Sequence, residues 1–179
     1  MIRAVDESSR SAGQLLDHAM VTLRSDHLET EVVDAADLLR DVVDRLGPTA
    51  DLRDIAIDLD LPAHPVQVRG DPILLQNAVR NILDNAIKYS PAETDINVSM
   101  TGDDQCRMVF CDQGRGFEAD DIARLPDRFS RGSNVGDVVG SGLGLTIVSD
   151  VARAHGGTLE IAPNPKGAGA CVTLVLPCC

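Results

Sequence analysis

The sequence predicts an α+β fold: an open, mixed sheet with helices packed on one face, preceded by an amphipathic helix. Three observations carry that prediction. Strand-like and helix-like segments mix without a regular βαβ rhythm, which argues against a doubly wound sheet. Two alternating segments flank the turn-rich Thr101-Gly102-Asp103-Asp104 and read as an antiparallel hairpin. The chain has 179 residues, 44% of them hydrophobic, which suffices for one domain with an appendage; with one Tyr, three Phe and no Trp, aliphatic side chains must fill the core.

In chain order, Val5, Ala12, Leu15, Leu16, Ala19, Met20 and Leu23 keep a 3-4 spacing and form the seam of a helix suited to a dimer or bundle. The boundary with the main domain is expected near residues 27–33, giving an appendage at 1–29 and a domain at 30–179. Residues 33–46 read as a helix capped by Asp34 and stopped by Gly47-Pro48. Residues 55–61 alternate as a strand, and 66–69 form a shorter one.

Residues 71–91 read as the helix around which the chain is organised. Asp71 suits the N-cap, Pro72 the first helical position, and Ser90-Pro91 the stop. Leu75, Val79, Ile82, Leu83, Ala86 and Ile87 form its apolar stripe. Asn77, Asn81 and Asn85 stand four apart on another face, continued by Lys88. Asn costs a helix roughly 0.5 kcal/mol relative to Ala, so three of them on one face point to a need for carboxamides.

Strands at 95–100 and 107–111 follow, then a short helix at 119–124 and an irregular, glycine-rich loop at 126–141. A helix at 143–155, ended by Gly156-Gly157, and strands at 158–161 and 171–176 close the chain.

The net charge of -12 argues against unassisted binding to nucleic acid or anionic lipid. Only Lys88 and Lys166 are lysines, which sharpens the position of Lys88. Five cysteines without CxxC spacing indicate neither zinc nor a disulfide framework; Cys106, Cys111 and Cys171 read as small strand or core residues. No membrane-span-length apolar run and no signal peptide is recognised, so a soluble, cytoplasmic chain is expected.

Three further clusters carry chemistry. Asp112-Gln113-Gly114-Arg115-Gly116-Phe117 places a carboxylate at a strand end beside two glycines, able to accept from an exocyclic amine while the backbone turns around a flat ring; a plain turn explains it as well. Gly140-Ser141-Gly142-Leu143-Gly144-Leu145 opens a helix and would let backbone amides close on an anion, although neither the dinucleotide fingerprint nor the P-loop lysine is present. Between them lies Asp127-Arg128-Phe129-Ser130-Arg131-Gly132, which reads either as a lid bringing guanidinium groups to a terminal phosphate or as a solvated loop anchored by one Phe.

Together these blocks, in this order, resemble the N box (81–91), G1 box (112–117), F box (128–131) and G2 box (140–145) of sensor histidine kinases. The resemblance spans about residues 30–177, and the preceding helix is similar to the second helix of the family's dimerisation domain. It implies the two-layer α/β sandwich, with a mostly antiparallel sheet, of the ATPase superfamily shared with gyrase, Hsp90 and MutL.

It also implies ATP and Mg²⁺, with Asn85 as the metal ligand and Asn81 close to metal and phosphates. Lys88 would reach a phosphate, Tyr89 and Phe129 would border the nucleotide, and Asp112 would accept from the adenine amine. Gly114 and Gly116 would shape the base pocket. Gly140, Gly142 and Gly144, with Leu143 among them, would wrap the phosphates, and Arg128 and Arg131 would approach the γ-phosphate. Asn81 stands where gyrase-like ATPases carry a water-activating Glu, so the resemblance favours phosphoryl transfer over hydrolysis.

The chain departs from the family in three places. It contains no His-Glu-x-x-Thr-Pro sequence around His18, His27, His64 or His155, so a catalytic fragment is expected, unable to phosphorylate itself. Pro126 replaces a frequent F-box aromatic, and Ala170 a frequent Ser or Thr, expected to remove one polar contact. Expected partners are the phosphoacceptor helix of the same kinase and a receiver domain. The expected setting is a cytoplasmic domain of a homodimeric protein, with an inner-membrane anchor as one option. An anti-sigma-type serine kinase and a degenerate ATP-sensing module are the alternatives.

Overall fold

The computed structural model describes residues 28–117 and 143–179. The appendage helix, the helix at 119–124 and the loop at 126–141 lie outside the described residues. Among those described, the order is β1 (Glu31–Asp34), α1 (Ala35–Asp51), β2 (Ile55–Asp60), β3 (Gln67–Gly70), α2 (Pro72–Tyr89), β4 (Thr94–Gly102), β5 (Gln105–Cys111), α3 (Gly144–Ala154), β6 (Thr158–Pro163) and β7 (Ala170–Pro177).

The main sheet runs β2-β4-β5-β7-β6; β2 and β4 are parallel and every other pair is antiparallel. The expected mixed, mostly antiparallel sheet is therefore present. Its register sorts the side chains by face, because successive residues of a strand point opposite ways. Met100, Met108, Leu174 and Leu159 form one inward row across four strands, and Val98, Phe110, Val172 and Ile161 form the next. Against these rows α2 lays Leu75, Val79, Ile82, Leu83, Ala86 and Ile87, all buried as the apolar stripe requires. Each large aliphatic removed from water contributes about 1.5–3 kcal/mol, so this two-layer contact holds the domain together.

The opposite face carries the polar half of the alternation. There Arg107 on β5 and Glu160 on β6 reach across β7 to an ion pair of 2.6 Å, which helps shield Thr173 and Val175.

Three expectations need correction. Residues 31–34 form a strand antiparallel to β3, so the helix starts at Ala35; Asp34 still caps it, accepting from the amides of Ala36 (2.8 Å) and Asp37 (3.2 Å). That helix also passes through Gly47-Pro48 to Asp51. Burial of Ala50 and the bond from the Leu52 amide to the Pro48 carbonyl sustain the extra turn despite the missing proline N–H.

The third correction concerns the cysteines. Cys106 is a buried core thiol as expected, but Cys111 and Cys171 form a disulfide between β5 and β7. The two face each other in the ladder despite a sequence separation of 60, a juxtaposition only strand register reveals.

Candidate functional site

Helix α2 is fixed at both ends. Asp71 Oδ1 accepts from the amides of Ile73 (3.0 Å) and Leu74 (3.2 Å), and Pro72 follows without an amide to satisfy. At the other end Arg53 donates to the Ile87 carbonyl at 2.7 Å, supplying a cation where the helix dipole is negative.

Two members of the asparagine face, Asn81 and Asn85, approach the start of α3, while Asn77 and Asn85 stay half-buried. Asn81 is buried, and its Nδ2 donates to the Asn77 carbonyl at 2.8 Å. That bond occupies the donor end of the carboxamide and fixes Oδ1 as the outward acceptor. A methyl group placed on Gly144 would lie 3.0 Å from Asn85 Nδ2 and 3.5 Å from both Asn81 Oδ1 and Asn85 Oδ1. The two carboxamides therefore converge on the first residue of α3. Leu143 stands at the cap position of that helix and supplies no capping oxygen. This end of α3 combines its positive dipole with two carboxamide oxygens, a donor set suited to an anion and an accompanying cation. Among the described residues no group of three or more His, Cys, Asp or Glu side chains could hold a metal.

Asp112 begins the second part of the site, immediately after β5. Its Oδ1 accepts from the amides of Gly114 (2.8 Å) and Ala170 (3.3 Å). Its own amide donates to the Ala170 carbonyl at 2.9 Å, and Asn164 Nδ2 donates to the Asp112 carbonyl at 2.8 Å. Burial raises the Asp112 pKa above the ordinary 3.8, and the two amide bonds only partly offset it. Both of these amides donate to Oδ1, the oxygen turned into the junction.

Close backbone approach explains two of the glycines. A side chain at Gly114 would lie 2.8 Å from the Tyr89 carbonyl, and Gly169, at φ 108, would drive one into the Asp112 carbonyl. The end of α2, the turn after β5 and the start of β7 thus close around one carboxylate. Lys88 and Tyr89 stand at the rim of this junction, with Lys88 Nζ 5.1 Å from the Tyr89 ring centroid.

Ala170 contributes to the junction through its backbone, beside Asp112. Asn164 was missed by sequence reading, although an Asn before Pro165 in a glycine-rich turn is a recognisable signal. His155 was also passed over. Its Nε2 accepts from the Asp71 amide at 2.9 Å and its Nδ1 lies 2.8 Å from the Val151 carbonyl, which fixes the neutral Nδ1–H tautomer and ties the end of α3 to the start of α2. A cleft of about 560 Å³ beside His155 and Arg69 lies a helix length away from Gly144 and holds none of the predicted site residues. Arg128, Phe129, Arg131, Gly140 and Gly142 lie outside the described residues.

Residues 70–178 match the family described as histidine kinase-, DNA gyrase B-, and HSP90-like ATPase, more than half of the chain. The chain belongs to this family. Within it the chain resembles the sensor kinases: the sensor protein QseC of Escherichia coli (strain K12) is 32% identical over 91% of this chain and 35% of its own length. The structure of the mycobacterial sensor histidine kinase MprB superposes with a TM-score of 0.73 at 32% identity, covering 83% of this chain and 97% of that one. Full-length ShkA in complex with AMPPNP gives 0.77 at 25% identity, covering 98% of this chain and 38% of that one. The chain spans about a third of the length of the curated relatives it matches. It is an ATPase domain of the sensor histidine kinase type.

Proposed function

We propose that the domain binds Mg-ATP and donates the γ-phosphoryl group to a histidine on a dimerisation helix, for relay to the receiver domain of a response regulator. The observation that carries this reading is the convergence of Asn81 and Asn85 on Gly144 at the head of α3. Asn85 Oδ1 would be the protein ligand of Mg²⁺, and Asn81 Oδ1 would line the same space. When bound, the metal would offset the negative charge of the phosphates. The α3 amides, with Gly140, Gly142, Leu143 and Gly144, would hold the phosphate chain.

Asp112 Oδ2 would accept from the adenine amino group, with Gly114 and Gly116 shaping the wall and Tyr89 and Phe129 bordering the nucleotide. Lys88, Arg128 and Arg131 would counter the phosphate charge. Asn81 cannot take a proton from water, so the site lacks the base a hydrolase needs at this position. The γ-phosphorus would instead be attacked by an imidazole nitrogen, forming the N–P bond as the bond to the β–γ bridging oxygen breaks and ADP leaves. Residues 1–29 would be the C-terminal part of a dimerisation helix and 30–179 the ATP-binding catalytic domain; the setting proposed is a cytoplasmic portion of a dimeric sensor.

Phosphoryl transfer in trans tests the reading. With γ-labelled ATP the chain alone stays unlabelled, whereas an added dimerisation domain carrying the phosphoacceptor histidine acquires acid-labile label. Self-labelling, an acid-stable product as a serine kinase would give, or nucleotide binding without any transfer would overturn it.

A further inference from the structure

The Cys111–Cys171 disulfide lies directly beside the Asp112 junction. Cys111 is the last residue of β5 and Asp112 follows it; Cys171 is the second residue of β7 and Ala170 precedes it. Each cysteine therefore adjoins one partner of the paired contacts between Asp112 and Ala170, the amide-to-carbonyl bond of 2.9 Å and the amide-to-Oδ1 bond of 3.3 Å. The register puts the pair on the face of the sheet opposite the helices, in the row of Asn97 and Ala162. Cys111 is half-buried there, whereas Cys171 is buried.

The three remaining described cysteines are free and placed away from this junction. Cys106 faces the core and its thiol is pushed up to about 12, chiefly by burial, Cys178 is raised as well, and Cys179 is exposed beside it.

We infer that Cys111–Cys171 is a thiol–disulfide exchange site for thiols of the glutathione class, and that its redox state sets how firmly the Asp112 junction is closed. The link to nucleotide affinity rests on the function proposed above. In reduction, a glutathione thiolate attacks Cys111 Sγ, the Sγ–Sγ bond breaks, and Cys171 leaves as a thiolate that takes a proton. A second glutathione thiolate attacks the glutathione sulfur of the mixed disulfide and releases Cys111, so two electrons pass to the protein and glutathione disulfide forms. Oxidation by glutathione disulfide is the reverse. Two free thiols must separate from bonding distance, about 2 Å, to van der Waals contact, about 3.5–4 Å. That separation acts on Asp112 and Ala170 directly, and the 3.3 Å bond is the first to give way.

The test poises the full chain in glutathione buffers, counts thiols after denaturation, and measures amide exchange and Mg-ATP affinity in each state. Reduction should add two thiols, speed exchange at the Asp112 and Ala170 amides by about fivefold or more, and weaken nucleotide binding by about fivefold or more. The double variant Cys111→Ser/Cys171→Ser should match the reduced chain in amide exchange at Asp112 and Ala170 and in nucleotide affinity, and both readouts should be independent of the buffer. Failure of the pair to oxidise, or equal exchange in both states, would overturn the inference; so would equal affinity where nucleotide binds. If neither state binds nucleotide the proposed function fails, and the exchange rates alone decide whether the disulfide closes the junction.

Discussion

Asp112→Asn separates binding from folding. Oδ1 of the new carboxamide can still accept from the Gly114 and Ala170 amides at 2.8 and 3.3 Å, so the junction is preserved. The other carboxylate oxygen becomes an NH₂ group, which meets the adenine amine donor to donor. A hydrogen bond to a charged acceptor contributes about 1.5–3 kcal/mol, so Mg-ATP affinity should fall about 10- to 150-fold. Stability should move the other way. Burial already raises the Asp112 pKa, which means the ionised side chain costs the native state free energy at neutral pH, and the neutral amide removes that cost. Nucleotide titration and thermal unfolding on the same sample check both: weaker binding with an equal or higher Tm. Unchanged affinity, or affinity and Tm falling together, would refute the assignment of Asp112 as base acceptor.

Gly144→Val should push against Asn85 Nδ2, where even a methyl group would lie 3.0 Å away, and weaken Mg-ATP binding with circular dichroism unchanged. His155→Ala should destabilise the domain by about 1–3 kcal/mol in urea unfolding, because it leaves the Asp71 amide and the Val151 carbonyl without their imidazole partner. On acidification, nucleotide affinity should drop at a pH above the ordinary aspartate value of 3.8, since the raised Asp112 pKa protonates the acceptor early; a profile flat down to 3.8 would contradict this. The stability contribution of the same group has the opposite slope: it falls as pH rises from 3.8 through the raised native value, because the native state binds the proton more tightly.

The sequence made the helices and their faces legible because period and capping are local properties. Asp71, Pro72 and Ser90 marked α2 within a residue, and the apolar stripe named its buried face. Periodicity marked the carboxamide face as unusual, but only the family resemblance set it beside Gly144, which lies 59 residues beyond Asn85 and meets it through the packing of α2 on α3. Register was equally out of reach. Cys111 and Cys171 looked like two small strand residues until β5 and β7 were aligned, and β1 lacked the length to declare itself before β3 paired with it. Gly47-Pro48 misled because a local stop signal was outweighed by burial of Ala50.

The most direct measurement is calorimetric titration of ATP into wild-type chain and Asn85→Ala, each with and without Mg²⁺. Mg²⁺ should strengthen wild-type binding, and the variant should lose at least about tenfold of that metal-dependent affinity while keeping its metal-free affinity. An Asn85→Ala chain that binds Mg-ATP as tightly as wild type would contradict the central claim that the asparagine face of α2 meets the metal and phosphates of ATP.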